Sequence, residues 1–577
     1  MLYRRAKYDD FVKDVKEHNK KLICFGAGEA ALDFFSLFRQ GLESHISCFV
    51  DNYKGGTEFS LGTYCYPVYS PDILKSENDI IILITSGYYN EIAIQLNHMS
   101  NLSKANIYIS HLLISNQQYS GISSITETVE NEVEKSKTEM LYYKNNINNY
   151  LKNVLLFGEL IENKALVHTF NKTISRELNG FNFFYLAESD TQCEVNCPVI
   201  LVPELFRRGY PINSLEIDIE IDKKIISSIN NNPYLKKALD LTTARFSDAS
   251  KGSAEYFVYL SYKYLSIYLD IFKPVAVIIW LEFYAFHIIL NNICRERGIR
   301  VFFYEFGVLP GTYCLETDGQ MGESLPAKNH IEFNNLYVND NDLLEAKVVW
   351  DYLKNNKIGR RKLMPSNLLM STDTIRQSLN DKHPVVLYAG QNDYESGIYP
   401  HDDFAKGYHS PIFSLSDEAA MFLANICKKN NWNFIYKLHP AVLFFDAQKQ
   451  ETTYPDNAII IHHADIHELI DMSDVLVTIT SQMGYMSLIR KKPALMLGYT
   501  QLRGKGCTYE AFEISQIESE LVNAINMGFT SEQEKSFQKH IAQVLKYYVY
   551  DDLQDRPVRY GRTASECASY LMNNINV

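Results

Sequence analysis

Residues 474–489, DVLVTITSQMGYMSLI, carry an apolar, β-branched run that ends at Thr480 and Ser481 and passes into a helical segment containing Gly484. A strand that turns at once into a helix is one unit of a parallel sheet, because parallel neighbours must be joined by a crossover. The same grammar recurs around it, in HPVVLYAGQND, WNFIYKLHP, AIIIHH and KPALMLG. An earlier series begins at residue 153 with NVLLFGE and runs through CPVILVP, AVIIW and IRVFFYEFG. A third occupies the amino-terminal end, with strands predicted at 22–25, 46–50, 80–85 and 107–109 and helices near 29–39 and 90–98. The expected fold class is α/β. A small Rossmann-like module spans 1–114 and a polar helical linker 115–150. Two parallel-sheet lobes follow at 151–365 and 366–530, with closing helices at 531–577 that pack back on the core.

The bulk composition suits this reading. The chain has 577 residues, 46% hydrophobic and 22% charged, too many for a single core at about 150 residues per domain. A formal charge of −13 excludes a general nucleic-acid binder, which needs a surplus of Lys and Arg against phosphate. Ten cysteines are scattered, mostly in apolar runs. Cys193 and Cys197 lack a second pair at zinc-site spacing, so no metal is expected. No apolar signal core follows MLYRRAKYDD, and the expected location is cytoplasmic. The stretch PVAVIIWLEFYAFHIIL, residues 274–290, contains Glu282 and His287 and falls short of the ~20 residues of a membrane span. It reads as a buried strand running into a buried helix.

In open parallel sheets, ligands bind outside the carboxyl ends of the strands, so the residues just past each strand are the candidates. In the last lobe these are Gln391, Asp393 and Ser396 after one strand, whose side chains should reach the cleft. Lys437 and His439 follow at the end of the next, as an anion partner and an imidazole donor. Thr480, Ser481 and Gly484 form a helix start with Ser481 as its cap. Arg503 and Lys505 add cations in the glycine-rich loop GYTQLRGKGCTYEAF. Together they suggest a nucleotide phosphate pocket. In the middle lobe, Glu305 ends an apolar strand, where partial burial would raise its pKa toward that of a general base. Glu282 ends the preceding strand, and Glu316 and Asp318 lie close by in sequence.

Five of these segments, in order, resemble the bacterial capsule polysaccharide biosynthesis glycosyltransferases, a group that includes transferases of the keto-sugar acid Kdo. They are YEFGVLPGTYCLETDG, GQNDYESG, KLHP, DVLVTITSQMG and RGKGCT, and the resemblance spans about residues 270–512. It implies a GT-B arrangement and transfer of a sugar from a nucleotide donor to a capsular or surface polysaccharide or glycolipid. It assigns His439, Thr480, Ser481 and Gly484 to the donor and Glu305 to activation of the acceptor hydroxyl, with no metal required. CMP-Kdo is the candidate donor. One departure stands out: family members commonly follow Ser-x-x-Gly with Glu-Ala, where this chain has Met486 and Ser487.

The amino-terminal segment FGAGEAA, followed by CFVDN, carries the marks of a dinucleotide turn: Gly26 for the bend, Gly28 for phosphate approach, Glu29 opening the helix, and Asp51 where a ribose-binding acid belongs. A nucleotide, NAD(P) or a purely structural role all remain open for this module. The alternatives to a glycosyltransferase are a sugar-nucleotide oxidoreductase or epimerase acting through it, and a non-catalytic glycan-assembly component. The Tyr- and Lys-rich carboxyl-terminal stretch is expected to pack on the middle lobe, with a membrane surface at the inner face, beside the capsule machinery, as the other option.

Overall fold

The computed structural model describes residues 8–17, 20–37, 42–77, 79–86, 89–97, 99, 101–102, 106–110, 113, 122–147, 150–157, 181–187, 197–202, 223–245, 251–358, 372–439, 454–461, 464–551 and 556–575. The chain divides into two compact units, one of residues 1–130 with 207–221 and 246–257, the other of the remainder.

The first unit is built on a six-stranded sheet. Its strands are β1 (Lys21–Phe25), β2 (Ile46–Val50), β3 (Thr57–Leu61), β4 (Tyr64–Tyr69), β5 (Ile80–Ile84) and β6 (Ile107–Ile109), in the order β3-β4-β2-β1-β5-β6. All neighbours are parallel except the hairpin β3–β4. That hairpin was not foreseen, since its alternation of exposed and buried residues is that of an edge with one wet face. β5 is buried along its whole length, which explains the unbroken run IIILI.

The second unit holds two sheets. One contains β7 (Lys152–Phe157), β8 (Phe181–Ala187), β9 (Val199–Leu201), β10 (Ala276–Trp280), β11 (Arg300–Phe306) and β12 (Thr312–Glu316). β9, β8, β7, β10 and β11 run parallel in that order, and β12 turns back antiparallel on β11. The other contains β13 (Val385–Ala389), β14 (Asn433–Lys437), β15 (Ala458–Ile461), β16 (Val475–Thr478), β17 (Ala494–Met496) and β18 (Tyr509–Glu510). It is parallel throughout, ordered β15-β14-β13-β16-β17-β18. A last short strand, β19 (Tyr550–Asp551), returns to the first of these sheets and pairs antiparallel with β12.

Each strand of the central pair β13 and β16 is fully buried, as strands covered on both faces must be. One apolar core joins the two sheets' surroundings: Val308, Leu309 and Cys314 pack in the same cluster as Leu387, Ile435 and Leu476 and as Phe537 and Val544 of the helix Ser531–Tyr547. Side chains of this size each contribute about 1.5–3 kcal/mol when fully buried. The stretch once weighed against a membrane span forms β10 and the buried helix Ala285–Glu296. Among the described residues no helix is long and apolar enough to cross a membrane.

Candidate functional site

In the sheet of β13–β18 the order runs outward in two directions from the β13–β16 boundary, which makes that boundary the reversal point where a crevice opens at the carboxyl ends. The residues following these two strands are tied to each other. Gln391 Oε1 accepts from the Thr480 amide at 2.9 Å, and the Gln391 side-chain amide donates to Ser416 Oγ at 3.1 Å. Asp393 accepts from the Ser416 amide at 2.9 Å and its hydroxyl at 2.7 Å, at the start of the helix Ser416–Asn430. Ser396 is buried, its hydroxyl 3.5 Å from the Asp393 carbonyl. The expectation that Gln391 and Asp393 reach into the cleft is therefore corrected: both are buried and hold the crevice walls together.

Ser481 stands at the mouth, half-buried, and its Oγ accepts from the Met483 amide at 3.3 Å. The helix Met483–Ile489 starts one residue later than a Ser481 cap would place it, with Gln482 as its capping position. Gly484 is buried, and a Cβ there would lie 3.0 Å from Met496 Sδ and 3.2 Å from Leu502, so it serves close packing. At the end of β14, Lys437 is buried and donates to the Leu438 carbonyl at 2.7 Å, and His439 follows, half-buried. Pro440 lies outside the described residues.

The loop cations divide. The Arg503 guanidinium stacks 3.8 Å from the Tyr499 ring centroid. Lys505 is turned inward, donating to the Pro326 carbonyl at 2.9 Å, and burial pulls its pKa down to about 8. As an internal tie to the segment after β12, Lys505 differs from the phosphate ligand expected of it.

In the other sheet of this unit the reversal point lies between β7 and β10. Residues 158–180, beyond β7, lie outside the described residues; beyond β10 comes Glu282. Its amide donates to Gln320 Oε1 at 2.8 Å and its carboxyl accepts from the Gln320 amide at 2.6 Å, while Gln320 Nε2 donates to the Tyr304 carbonyl at 3.1 Å. Gln320 thus straps the ends of β10 and β11 together. Burial, then the neighbouring Glu323 carboxylate, push the Glu282 carboxyl well above the usual range. Glu323 Oε1 lies 3.1 Å from His409 Nε2, and His409 packs edge-on against Phe283. Glu305 sits buried on β11 opposite Cys314. Asp318 is partly exposed, with Lys328 at 3.7 Å. Glu316 is committed elsewhere, accepting from Tyr548 Oη at 2.5 Å and the Leu325 amide at 2.6 Å.

Sequence reasoning missed Gln320, Glu323 and His409. Gln320 and Glu323 follow a segment already singled out, but His409 is 86 residues from its partner and follows a short helix, Asp403–Tyr408, rather than a strand.

In the amino-terminal unit, β1 is flanked by β2 and β5, and the glycine turn again lies at the reversal point. Gly26 has φ +116°, and a Cβ there would sit 2.5 Å from the Thr85 carbonyl oxygen, so only glycine fits. A Cβ added at Gly28 would meet nothing within 4 Å among the described residues beyond its chain neighbours. Asp51 accepts from the Ala27 amide at 3.0 Å with one oxygen and from the Tyr53 and Lys54 amides with the other. Both oxygens therefore brace the turn, where a ribose-binding role had been expected. Glu29 opens the helix Glu29–Leu37, but its side chain is outside the described part. Cys193 also lies outside the described residues, and Cys197 is half-buried with its thiol pushed up to about 12 by burial.

Residues 350–524, which include all of β13–β18, match the family model described as capsule polysaccharide biosynthesis protein. Over this region the chain is similar to that family. The matched region holds the parallel sheet β13–β18 and the crevice at its β13–β16 boundary. Solved structures that align with the chain include a β-Kdo 2,7-transferase, KpsC of Thermosulfurimonas dismutans, at 16% identity over 54% of this chain and 89% of that one, with a TM-score of 0.31. The MnaA–UDP structure of S. aureus aligns at 10% identity over 74% and 96%, TM-score 0.30. A trehalose 6-phosphate synthase of Burkholderia multivorans aligns at 10% over 74% and 98%, TM-score 0.36. Among curated proteins, none matches the chain.

Proposed function

We propose that the protein transfers a sugar, Kdo or another acidic sugar, from a nucleotide-activated donor such as CMP-Kdo to a capsular or surface polysaccharide or glycolipid. The observation that carries this reading is the capsule family match on the lobe whose strand ends gather Lys437, His439, Thr480, Ser481 and Arg503. These residues hold the donor. Gln391 and Asp393 fix the loops on which they stand, and His439 with Arg503 stabilises the departing phosphate without a metal. Glu305 takes the proton from the acceptor hydroxyl as its oxygen attacks the anomeric carbon and the nucleotide leaves. Glu282, whose carboxyl is engaged by the Gln320 amide, and Asp318, beside Lys328, suit that base less well. The protein works at the inner face of the membrane, next to the rest of the capsule machinery, and its amino-terminal module binds a nucleotide or serves as a scaffold.

The test is a melting screen against CMP-, UDP-, GDP- and dTDP-linked sugars, since a ligand of the native state raises its stability. Transfer or donor hydrolysis is then followed for the ligand that binds. His439→Ala and Glu305→Gln should each lower the rate by about 100-fold or more, with the melting temperature of the free protein unchanged. Full activity in both variants would remove these residues from the site, and a screen in which no sugar nucleotide binds would remove the function.

A further inference from the structure

The turn after β12 joins the strand ends of both sheets in this unit. On one side Gln320 holds the ends of β10 and β11, exchanging two hydrogen bonds with Glu282 and donating to the Tyr304 carbonyl. On the other, Glu323 Oε1 lies 3.1 Å from His409 Nε2, and the His409 carbonyl accepts from the Tyr499 amide at 2.7 Å, just past β17. Gly397, in the loop after β13, leaves the room this contact needs: a Cβ there would fall 2.7 Å from His409 Nε2 and 2.8 Å from the Phe283 ring.

This joint is held against two opposing costs. Leu281 and Met321, each next to one member of the Glu282–Gln320 pairing, have φ of +53° and +51°, a left-handed backbone that residues other than glycine rarely take and that concentrates at switch regions. Glu282 and Glu323 are both buried, at 6% and 8% exposure, beside the fully buried His409. A Cβ added to Gly319 would lie 3.2 Å from Glu282 Oε1 and 3.1 Å from Glu323 Oε2, so both carboxyls border one point. Lys237 and Arg295 also act on Glu282, but burial together with Glu323 outweighs them. Beside the turn, Asp318 is paired with Lys328.

We infer that residues 319–323 are a proton-held latch between the two sheets: it stays closed while Glu282 and Glu323 carry one negative charge between them, and it lets go when both are ionised. With Glu282 neutral, its carboxyl accepts from the Gln320 amide and Glu323 is left to His409. Loss of the Glu282 proton to solvent buries two like charges with one imidazole to serve them, and the strained turn relaxes by withdrawing Glu323 from His409. The closed form binds the proton more tightly than the open one, so closure is favoured at lower pH and weakens as pH rises. The latch needs no particular ligand and stands apart from the proposed sugar transfer.

Hydrogen exchange of the full chain, followed between about pH 6 and 9 and corrected for the intrinsic pH dependence of exchange, tests this. The amides of Glu282, Gln320, Glu323 and Tyr499 are bonded within the joint and report on it. An opening that releases one proton grows by up to about tenfold per pH unit, so their protection should fall at least about tenfold over this range while β13 and β16 keep theirs. In Glu282→Gln, which still accepts from the Gln320 amide but cannot ionise, the fall should disappear. Lys237→Met, on the helix Pro233–Arg245, removes a cation that favours the ionised form and should move the fall to higher pH. Protection that does not change with pH in the unaltered protein, or that falls equally in β13 and β16, overturns the latch. So does a full pH response in Glu282→Gln or, where that variant does not fold, an unmoved response in Lys237→Met.

Discussion

Glu316 shows how a buried carboxyl can look catalytic in sequence and prove to be a joint. It ends β12, accepts from Tyr548 and the Leu325 amide, and burial pushes its pKa up from 4.5 to about 8. The fold therefore binds a proton that the unfolded chain releases above about pH 4.5. Its contribution is complete below that pH and is lost as pH rises through about 8. Chemical denaturation between pH 5 and 8 should show the unaltered protein losing on the order of a few kcal/mol relative to Glu316→Gln, which cannot titrate. Parallel pH profiles for the two proteins would mean that Glu316 is ionised throughout in the fold. Residue types at strand ends were legible in the sequence, but which of them face a ligand was not. Gln391, Asp393 and Lys505 have the chemistry of ligands, and each is satisfied by a neighbour that only the fold brings near.

At the scale of elements, apolar runs gave away the buried strands because parallel sheets covered on both faces need continuous Val, Ile and Leu. β19 and the β3–β4 hairpin escaped, being short or half-exposed. The turn after β12 was also opaque. It places Glu323 against His409 and brings Gly322 so close to the Tyr408–His409 backbone that a Cβ on Gly322 would fall 1.6 Å from the Tyr408 carbonyl oxygen. Nothing flexible can yield there, since the obstructing atom is main chain. Gly322→Ala should therefore lower stability by about 3 kcal/mol or more, read as a fall in melting temperature and a loosened Glu323–His409 contact. An unchanged melting temperature would show that these two backbones are not in close contact.

For the molecule as a whole, the decisive feature is the return of the chain. After building β13–β18 it lays the helix Ser531–Tyr547 along the shared core and places β19 on the edge of β12. The helix Ala564–Ile575 then covers the same sheet with Cys567, Ala568 and Leu571. A chain ending at residue 547 should keep the third sheet's core but expose the β12 edge and its apolar face. The expected result is aggregation on expression and a lowered melting temperature of whatever stays soluble. A soluble truncated protein melting like the full chain would show that the returning segment contributes little.

The Tyr548 to Glu316 contact joins residues 232 positions apart. During synthesis at about 5–20 residues per second, the carboxyl of Glu316 emerges from the ribosome on the order of 10–50 s before the phenol that will meet it. The sheet containing β12 thus waits, edge open, for the whole of β13–β18 to be translated. Final closure of the earlier lobe therefore reports that the later one has been made, and a nascent chain stalled within β13–β18 would still present an unfinished sheet to chaperones.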